Sequence, residues 1–318
     1  MAVLFNAWDF VSLWIDHDRA YEETQVQVQT LAREVSRTLT STLQPVEIHL
    51  TDHLVPAASR LVTGRGSPKQ MQEVFKLTRQ RLPQVAAVMV FDNVGRLAAA
   101  SVPGVRPEPD PRNIPGIAQH RDAGDDLAVF VGDAALVLAD PKGSRWRLHM
   151  TQALRNAEGD FIGMVMVQLD TESIFAIIGE MNIVTGAAVR IFDGSARLLV
   201  NHPRDFTVIG RAFSRTRLFK TWQEVRHELV GRLPDPTDNS PEIAALRGIE
   251  RYPLLVSVGV AEDLALAEWW RELAILLLTI VVFVTASSWA GRRQLAKWVL
   301  HLNGKGEEEK GFADGDGI

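Results

Sequence analysis

The 318-residue sequence contains no cysteine. That absence excludes a disulfide framework, a cysteine-ligated zinc site and a thiol nucleophile. It is compatible with either the cytoplasm or the periplasm. Excess positive charge is also lacking: 34 Lys and Arg face 39 Asp and Glu, for a net charge of −5. Nothing in that balance draws the chain toward nucleic acid. With 46% apolar and 23% charged residues, the chain is neither disordered nor fibrous. Its length suits about two ordinary domains. The mean hydropathy of zero averages over a very uneven distribution.

Chemical motifs are scarce too. Gly194-Ser195-Ala196 lacks the flanks of a nucleophile elbow. The stretch from Gly64 to Lys69 has the composition of a phosphate loop without its four-residue spacing, and Pro68 removes a cradle N–H. His49 and His53 stand four apart on a predicted helix, a spacing that brings two imidazoles together, but no third ligand accompanies them. The terminal Asp314-Gly315-Asp316-Gly317 lacks the glutamate that closes a calcium loop. No catalytic residue, metal or cofactor is expected, and the chain is not read as an enzyme.

One long apolar run is present. Residues 273–290, LAILLLTIVVFVTASSWA, carry no charge. As a helix they reach about 27 Å, close to the ~30 Å hydrocarbon core of a bilayer. Trp269, Trp270 and Trp289 frame the run like an interfacial belt. Arg292, Arg293 and Lys297 follow it and mark the cytoplasmic side, which leaves the preceding residues outside the membrane. Residues 266–292 are thus expected to span, with 293–318 a short cytoplasmic tail. Residues 1–15 are apolar but short, contain Asp9, and have no basic n-region. They read as the end of a first transmembrane helix whose beginning is missing, or as the start of an amphipathic helix. From there Val28, Leu31, Val35, Leu39, Leu43, Val46 and Leu50 form one face of a long helix over 16–60, which Pro45 is expected to kink or divide.

The strongest organising signal is an internal repeat. Residues 86–99 read AAVMVFDNVGRLAA and residues 187–200 read AAVRIFDGSARLLV, identical at seven of fourteen positions. Each copy is an apolar run, a turn opened by Asp92 or Asp193, and a second run, the pattern of a β-hairpin. Further strands are expected at 127–131, 134–138, 145–154 and 161–169 in the first module, and at 252–260 in the second. A helical patch is expected near 214–232, followed by a linker-like loop over 233–241. The fold class is α+β: two tandem antiparallel-sheet modules of about five strands each, 61–180 and 181–265, after the long helix and before the membrane helix.

This order resembles the double Cache sensor domains, PAS-like extracytoplasmic modules of bacterial receptors such as histidine kinases, diguanylate cyclases and chemoreceptors. The resemblance is carried by LPQVAAVMVFDNVGRL (82–97), RWRLHMTQALRNAEGDFIG (145–163), VRIFDGSARLLVNHP (189–203) and RYPLLVSVGVAED (251–263). It departs from its relatives around Asp110-Pro111-Arg112-Asn113-Ile114-Pro115, where an aromatic pair is missing, and at Gln152-Ala153, where relatives tend to have arginines. The resemblance implies a small-molecule pocket in the membrane-distal module, with Arg112, Trp146, His149, Thr151 and Asp170 as candidate ligand-binding residues. Arg112 would hold a carboxylate, such as that of an amino acid, and Trp146 would form an apolar wall. Strand alternation sets Arg145, Arg147, His149 and Thr151 on one face and Trp146 on the other, so these residues do not all line one pocket.

The implied protein is a sensory module at the bacterial inner membrane, with its sensor domain periplasmic and its C-terminus cytoplasmic. It would pass a signal through the membrane helix to an output on a separate kinase or cyclase, or in a longer receptor. The long helix would either pack on its own domain or pair with a second copy to form a homodimer. The alternative is a membrane-anchored interaction module with a degenerate Cache fold and no small-molecule ligand.

Overall fold

The computed structural model describes residues 2–103, 114, 116–123, 127–133, 146–181, 183–225 and 227–313. The expected strands at 134–138 lie outside these. Two units are distinguished, Tyr21–Ala265 on one hand and Met1–Ala20 with Leu266–Ile318 on the other.

The larger unit is built on helix α1 (Ala2–His49) from Tyr21 onward. Its apolar stripe, Val28, Leu31, Val35, Leu39, Leu43 and Val46, is buried against both sheets in one continuous core. Pro45 does not divide α1, which runs through it to His49. Pro45 is exposed, as is Ser41 four residues earlier, so solvent can take the carbonyl that the ring deprives of a partner. The helix instead widens five residues later into a π-turn, Leu50–Leu54, and continues as α2 (Val55–Val62). Helix α3 (Pro68–Arg81) follows, its start fixed by a capping box between Ser67 and Gln70 and by Pro68 in the first turn.

The first sheet has strands β1 (Val85–Asp92), β2 (Leu97–Ala100), β3 (Leu127–Asp133), β4 (Trp146–Arg155) and β5 (Phe161–Leu169), ordered β2-β1-β5-β4-β3. Helix α4 (Thr171–Glu180) links it to the second sheet. That sheet contains β6 (Ala187–Asp193), β7 (Leu198–His202), β8 (Glu228–Pro234), β9 (Pro241–Ile249) and β10 (Leu254–Ala261), ordered β7-β6-β10-β9-β8. Both sheets are wholly antiparallel with the same strand order, so the sequence repeat is a repeat of topology.

The repeated turn is also built identically. Asp92 Oδ1 accepts from the N–H groups of Val94 (3.0 Å) and Arg96 (2.8 Å), and Asp193 Oδ1 from those of Ser195 and Arg197 (2.9 Å each). The left-handed position is Gly95 in the first copy (φ 85°) and Ala196 in the second (φ 59°). Each first strand shifts register one step before its aspartate, at Val90/Phe91 and at Ile191/Phe192.

Two expectations fail in the second module. The helical patch shortens to α5 (Arg217–Val225), and its remainder becomes β8. The stretch Leu233–Pro241 is not a linker but the turn of the β8–β9 hairpin, with Asn239 at φ 65° and the Asp235 N–H bonded to the Ser240 carbonyl (2.8 Å). A Pro- and Asp-rich hairpin turn has the same composition as a linker. The outer face of this sheet is closed by aromatic packing, Phe192 meeting Phe213 (5.9 Å between centroids) and Phe219 (4.9 Å) edge-on.

Helix α1 is tied to the second module by two polar clasps. Glu47 accepts from Arg251 Nε (2.7 Å), Arg251 Nη2 (2.8 Å) and the Tyr252 hydroxyl (2.7 Å), and the bond from Arg251 holds its carboxyl below the usual range. Glu228 likewise accepts from Arg33, Gln29 and Arg247. The short α6 (Glu262–Ala265) ends this unit.

In the smaller unit, α7 (Ala267–Ala313) contains the apolar run. Residues Ala267–Trp289 form a stretch long and apolar enough to cross a membrane, with none of it buried. Its Leu278, Val281, Val282, Phe283 and Val284 are all more than half exposed. Near its start the His17 ring stands edge-on to Trp269, 5.0 Å away, and near its end the Arg293 guanidinium lies over Trp289 at 4.7 Å.

Candidate functional site

Alternation along the strands of the first sheet gives it two unlike faces. Val88 and Val90 of β1, Val165, Val167 and Leu169 of β5, and Leu148, Met150 and Leu154 of β4 face the helices and join the main core. The opposite face carries Ala87, Met89, Phe91, Met164 and Met166, covered by Ile114 and Ile117. Toward one end of that face the apolar lining gives way to polar groups. Thr151 stands opposite Met166, and His149 opposite Gln168. Arg147 follows by alternation, and all four are buried.

A π-turn at Gln119–Ala123 lies over this patch. It brings in His120, fully buried, whose Nε2 is 2.9 Å from Thr151 Oγ1. The His120 carbonyl is held by Arg155 Nη2 (3.1 Å), which fixes the turn to β4. The Gln168 amide is completely buried, and among the described residues neither its nitrogen nor its oxygen has a hydrogen-bond partner. Leaving such a group unsatisfied costs about 1–3 kcal/mol, a cost that a bound polar molecule would remove. The cluster offers an amide donor and acceptor side by side, imidazoles and a hydroxyl. The charged side chains described on this face, Arg147 and Arg155, are both cations, so it is chemically suited to a molecule with an anionic group and a neighbouring polar one.

Of the residues singled out from the sequence, His149 and Thr151 come together here. Arg112 lies outside the described residues. Trp146 opens β4, and its side chain is likewise outside them. Asp170 does not join the cluster. It caps α4, with Oδ1 accepting from the Glu172 N–H (3.2 Å) and Oδ2 from the Ser173 hydroxyl (3.3 Å). Sequence reasoning missed His120 and Gln168. Gln168 could have been found as the one polar residue in the buried apolar strand Phe161–Leu169, whereas His120 sits in an irregular turn with no pattern to betray it.

His49 and His53 do meet, with ring centroids 4.7 Å apart beside an open groove of about 410 Å³ that Arg81 also lines. His49 Nε2 is bonded to Thr78 Oγ1 (2.8 Å), and burial lowers its proton affinity. Among the described residues no group of three or more His, Asp or Glu is placed to hold a metal ion.

No protein-family model matches the chain, and no curated protein matches it. Solved structures do. The extracellular domain assigned to the histidine kinase rpHK1S-Z16 is 21% identical, with a TM-score of 0.63 over 78% of this chain and 98% of that one. The ligand-binding domain of the Pseudomonas aeruginosa amino-acid chemoreceptor PctB, in complex with L-Gln, is 15% identical, with a TM-score of 0.55 over 76% and 92%. That of the Pseudomonas fluorescens chemoreceptor CtaA, in complex with L-isoleucine, is 12% identical, with a TM-score of 0.56 over 80% and 98%. At these identities the likeness is one of fold. The chain has the fold of the extracellular sensor domains of histidine kinases and chemoreceptors, the double Cache architecture.

Proposed function

We propose that this chain is an extracytoplasmic sensory module, anchored by α7, that binds a small molecule on the polar patch of its first module. The reading rests above all on the Gln168 amide, buried with both polar atoms unpartnered beside His149, Thr151 and His120. The fold supports it, because similar domains are sensors and two of them were solved with amino acids. The molecule carries a carboxylate or a comparable anion that pairs with the local arginines, and an amide-like group that matches Gln168. Arg112 is a further candidate to hold the carboxylate. The second module lies nearest the membrane. The C-terminus is cytoplasmic, and the bound state biases α7, which carries the signal to a kinase, a cyclase or another receptor domain. No catalysis is assigned to the chain.

The test is thermal unfolding of the full chain in detergent micelles against the common amino acids and short mono- and dicarboxylates. At least one compound should raise the midpoint by several degrees, and Gln168→Leu should abolish that rise. Silence across the whole set would overturn ligand sensing and favour a membrane-anchored interaction module. A reporter fused after Trp298 should signal from the cytoplasm.

A further inference from the structure

The outer face of the second sheet is apolar except at one end. Phe192, Leu198, Leu255, Ala244 and Leu246 pack under α5 and its flanking loop. Beyond them the same face carries Arg190 on β6, Ser257 and Gly259 on β10, and Glu242 at the start of β9. Arg190 and Ser257 are register partners, as are Glu242 and Ala261. In the repeat, the position of Arg190 is held by Met89 in the first module, so the arginine at this place belongs to the second module.

Three charges converge here, two of them with almost no access to solvent and the third, Asp235, partly buried. Arg190 Nη1 donates to Glu242 at 3.1 and 3.4 Å, and Arg190 Nη2 donates to Asp235 in the β8–β9 turn. Arg190 is 5% exposed and Glu242 3%. Arg190 Nε and the Ser257 hydroxyl, also buried, have no hydrogen-bond partner among the described residues. The Glu242 carboxylate lies directly over Gly259, where an added Cβ would stand 2.4 Å from Oε2, so β10 and this carboxylate are in close contact. One guanidinium faces two carboxylates, and the fully ionised cluster therefore buries one uncompensated negative charge.

We propose that this cluster is a second sensory input, responsive to external pH, in which protonation of Glu242 closes the β8–β9 turn onto β10 and loss of the proton loosens it. With the proton on, Arg190 and Asp235 balance and Glu242 is neutral over Gly259. With the proton released to solvent, the extra negative charge is relieved only by admitting water or by moving the turn. Burial pushes the Glu242 carboxyl up to about 7; Arg190 opposes the rise, and Asp235 and Asp238 add to it. Arg190, Asp235 and Asp238 are the ionisable groups that act on it. Arg232 and Glu262, paired at 2.7 Å, belong to the other face, since Arg232 is in register with Ile243, which alternates onto the same side of β9 as Ala245 of the main core. The loosening has a direct outlet along the chain. Glu242 pairs with Ala261, the last residue of β10; α6 begins at the next residue, and α7 begins at Ala267.

The test uses the full chain in lipid nanodiscs. Infrared difference spectra between pH 5.5 and pH 8.5 should show a buried protonated carboxyl that disappears as pH rises, with a midpoint near 7, and Glu242→Gln should remove it. Hydrogen exchange over residues 234–242 and 254–265, corrected for intrinsic rates, should accelerate about tenfold from pH 6 to pH 8. Glu242→Gln should hold the protected pattern at both pH values. A second variant, Asp235→Asn, removes a neighbouring negative charge and should move the midpoint toward acid by about one unit. The proposal falls if neither variant changes the carboxyl signal, or if exchange in these segments responds to pH equally in the wild type and in Glu242→Gln.

Discussion

The two modules share a strand order, an aspartate-capped turn and a helix-facing core, yet their outer faces differ in kind. The first module leaves a polar patch with an unpaired amide at Gln168; the second fills the same face with aromatic rings and a charge cluster bonded to itself. A repeated scaffold therefore does not repeat its site. The helix-facing side must fill a core and tolerates little change, whereas the outer side of each sheet was free to diverge once the strands were stable.

That contrast predicts opposite responses to substitution. The largest effect belongs to Arg190→Met, which removes the guanidinium from buried Glu242 and leaves Asp235 only its bonds from Thr237, and it should cost about 3–5 kcal/mol of stability by denaturant titration. Replacing Arg147, the buried arginine of the first module, supplies the comparison. A loss of the same size there would show that the first face is held by its charge as the second one is.

Next comes the dependence of stability on pH. The folded Glu242 binds its proton up to about pH 7, while in the unfolded chain the same carboxyl releases it near 4.5. Between those values the folded state holds more protons, so its stability falls as pH rises. The contribution is complete below about pH 4.5, lost by about pH 8, and worth up to about 3 kcal/mol. Glu47 and Glu228, held below the usual range by Arg251 and Arg33, act at lower pH and in the opposite sense, as does His49 on acidification below its ordinary value. The difference between wild type and Glu242→Gln isolates the term. A flat difference between pH 5 and 8 would remove the electrostatic distinction between the modules.

A smaller effect tests what the modules share. Asp92→Ala and Asp193→Ala each remove a carboxylate that accepts two turn N–H groups, and each should cost about 1–2 kcal/mol. A disparity of several fold would mean that the common turn plays unequal parts in the two sheets.

How much of this could be read from the chain follows the same division. The hairpin repeat was legible because Phe-Asp followed by Arg-Leu encodes a turn locally, and α7 because eighteen uncharged residues need no context. The stripe of α1 was legible through its period, although Pro45 misled: a proline's effect on a helix depends on which side faces water, and sequence does not show that. Strand β8 was hidden because Glu228–Pro234 alternates weakly and follows a genuine helix. The sites were hardest. His149 and Thr151 followed from alternation along β4, but His120, Asp235 and Glu242 act across the fold from irregular segments or strand ends, where only tertiary packing sets their neighbours.

The smallest stability change expected is also the most discriminating. Gln168→Leu replaces a buried amide that has no hydrogen-bond partner among the described residues with an apolar group of similar size beside Met166 and its neighbours. An amide kept only for architecture would be tied into the sheet, and its loss would destabilise the chain. An amide kept for a ligand is a liability in the empty protein, and its replacement should leave stability unchanged or raise it by about 1 kcal/mol, because the desolvated donor and acceptor are gone. The same variant should lose any stabilisation by added amino acids or carboxylates. A clear destabilisation of the unliganded chain, measured by denaturant unfolding at fixed pH, would make Gln168 a structural residue and remove the main distinction between the two outer faces.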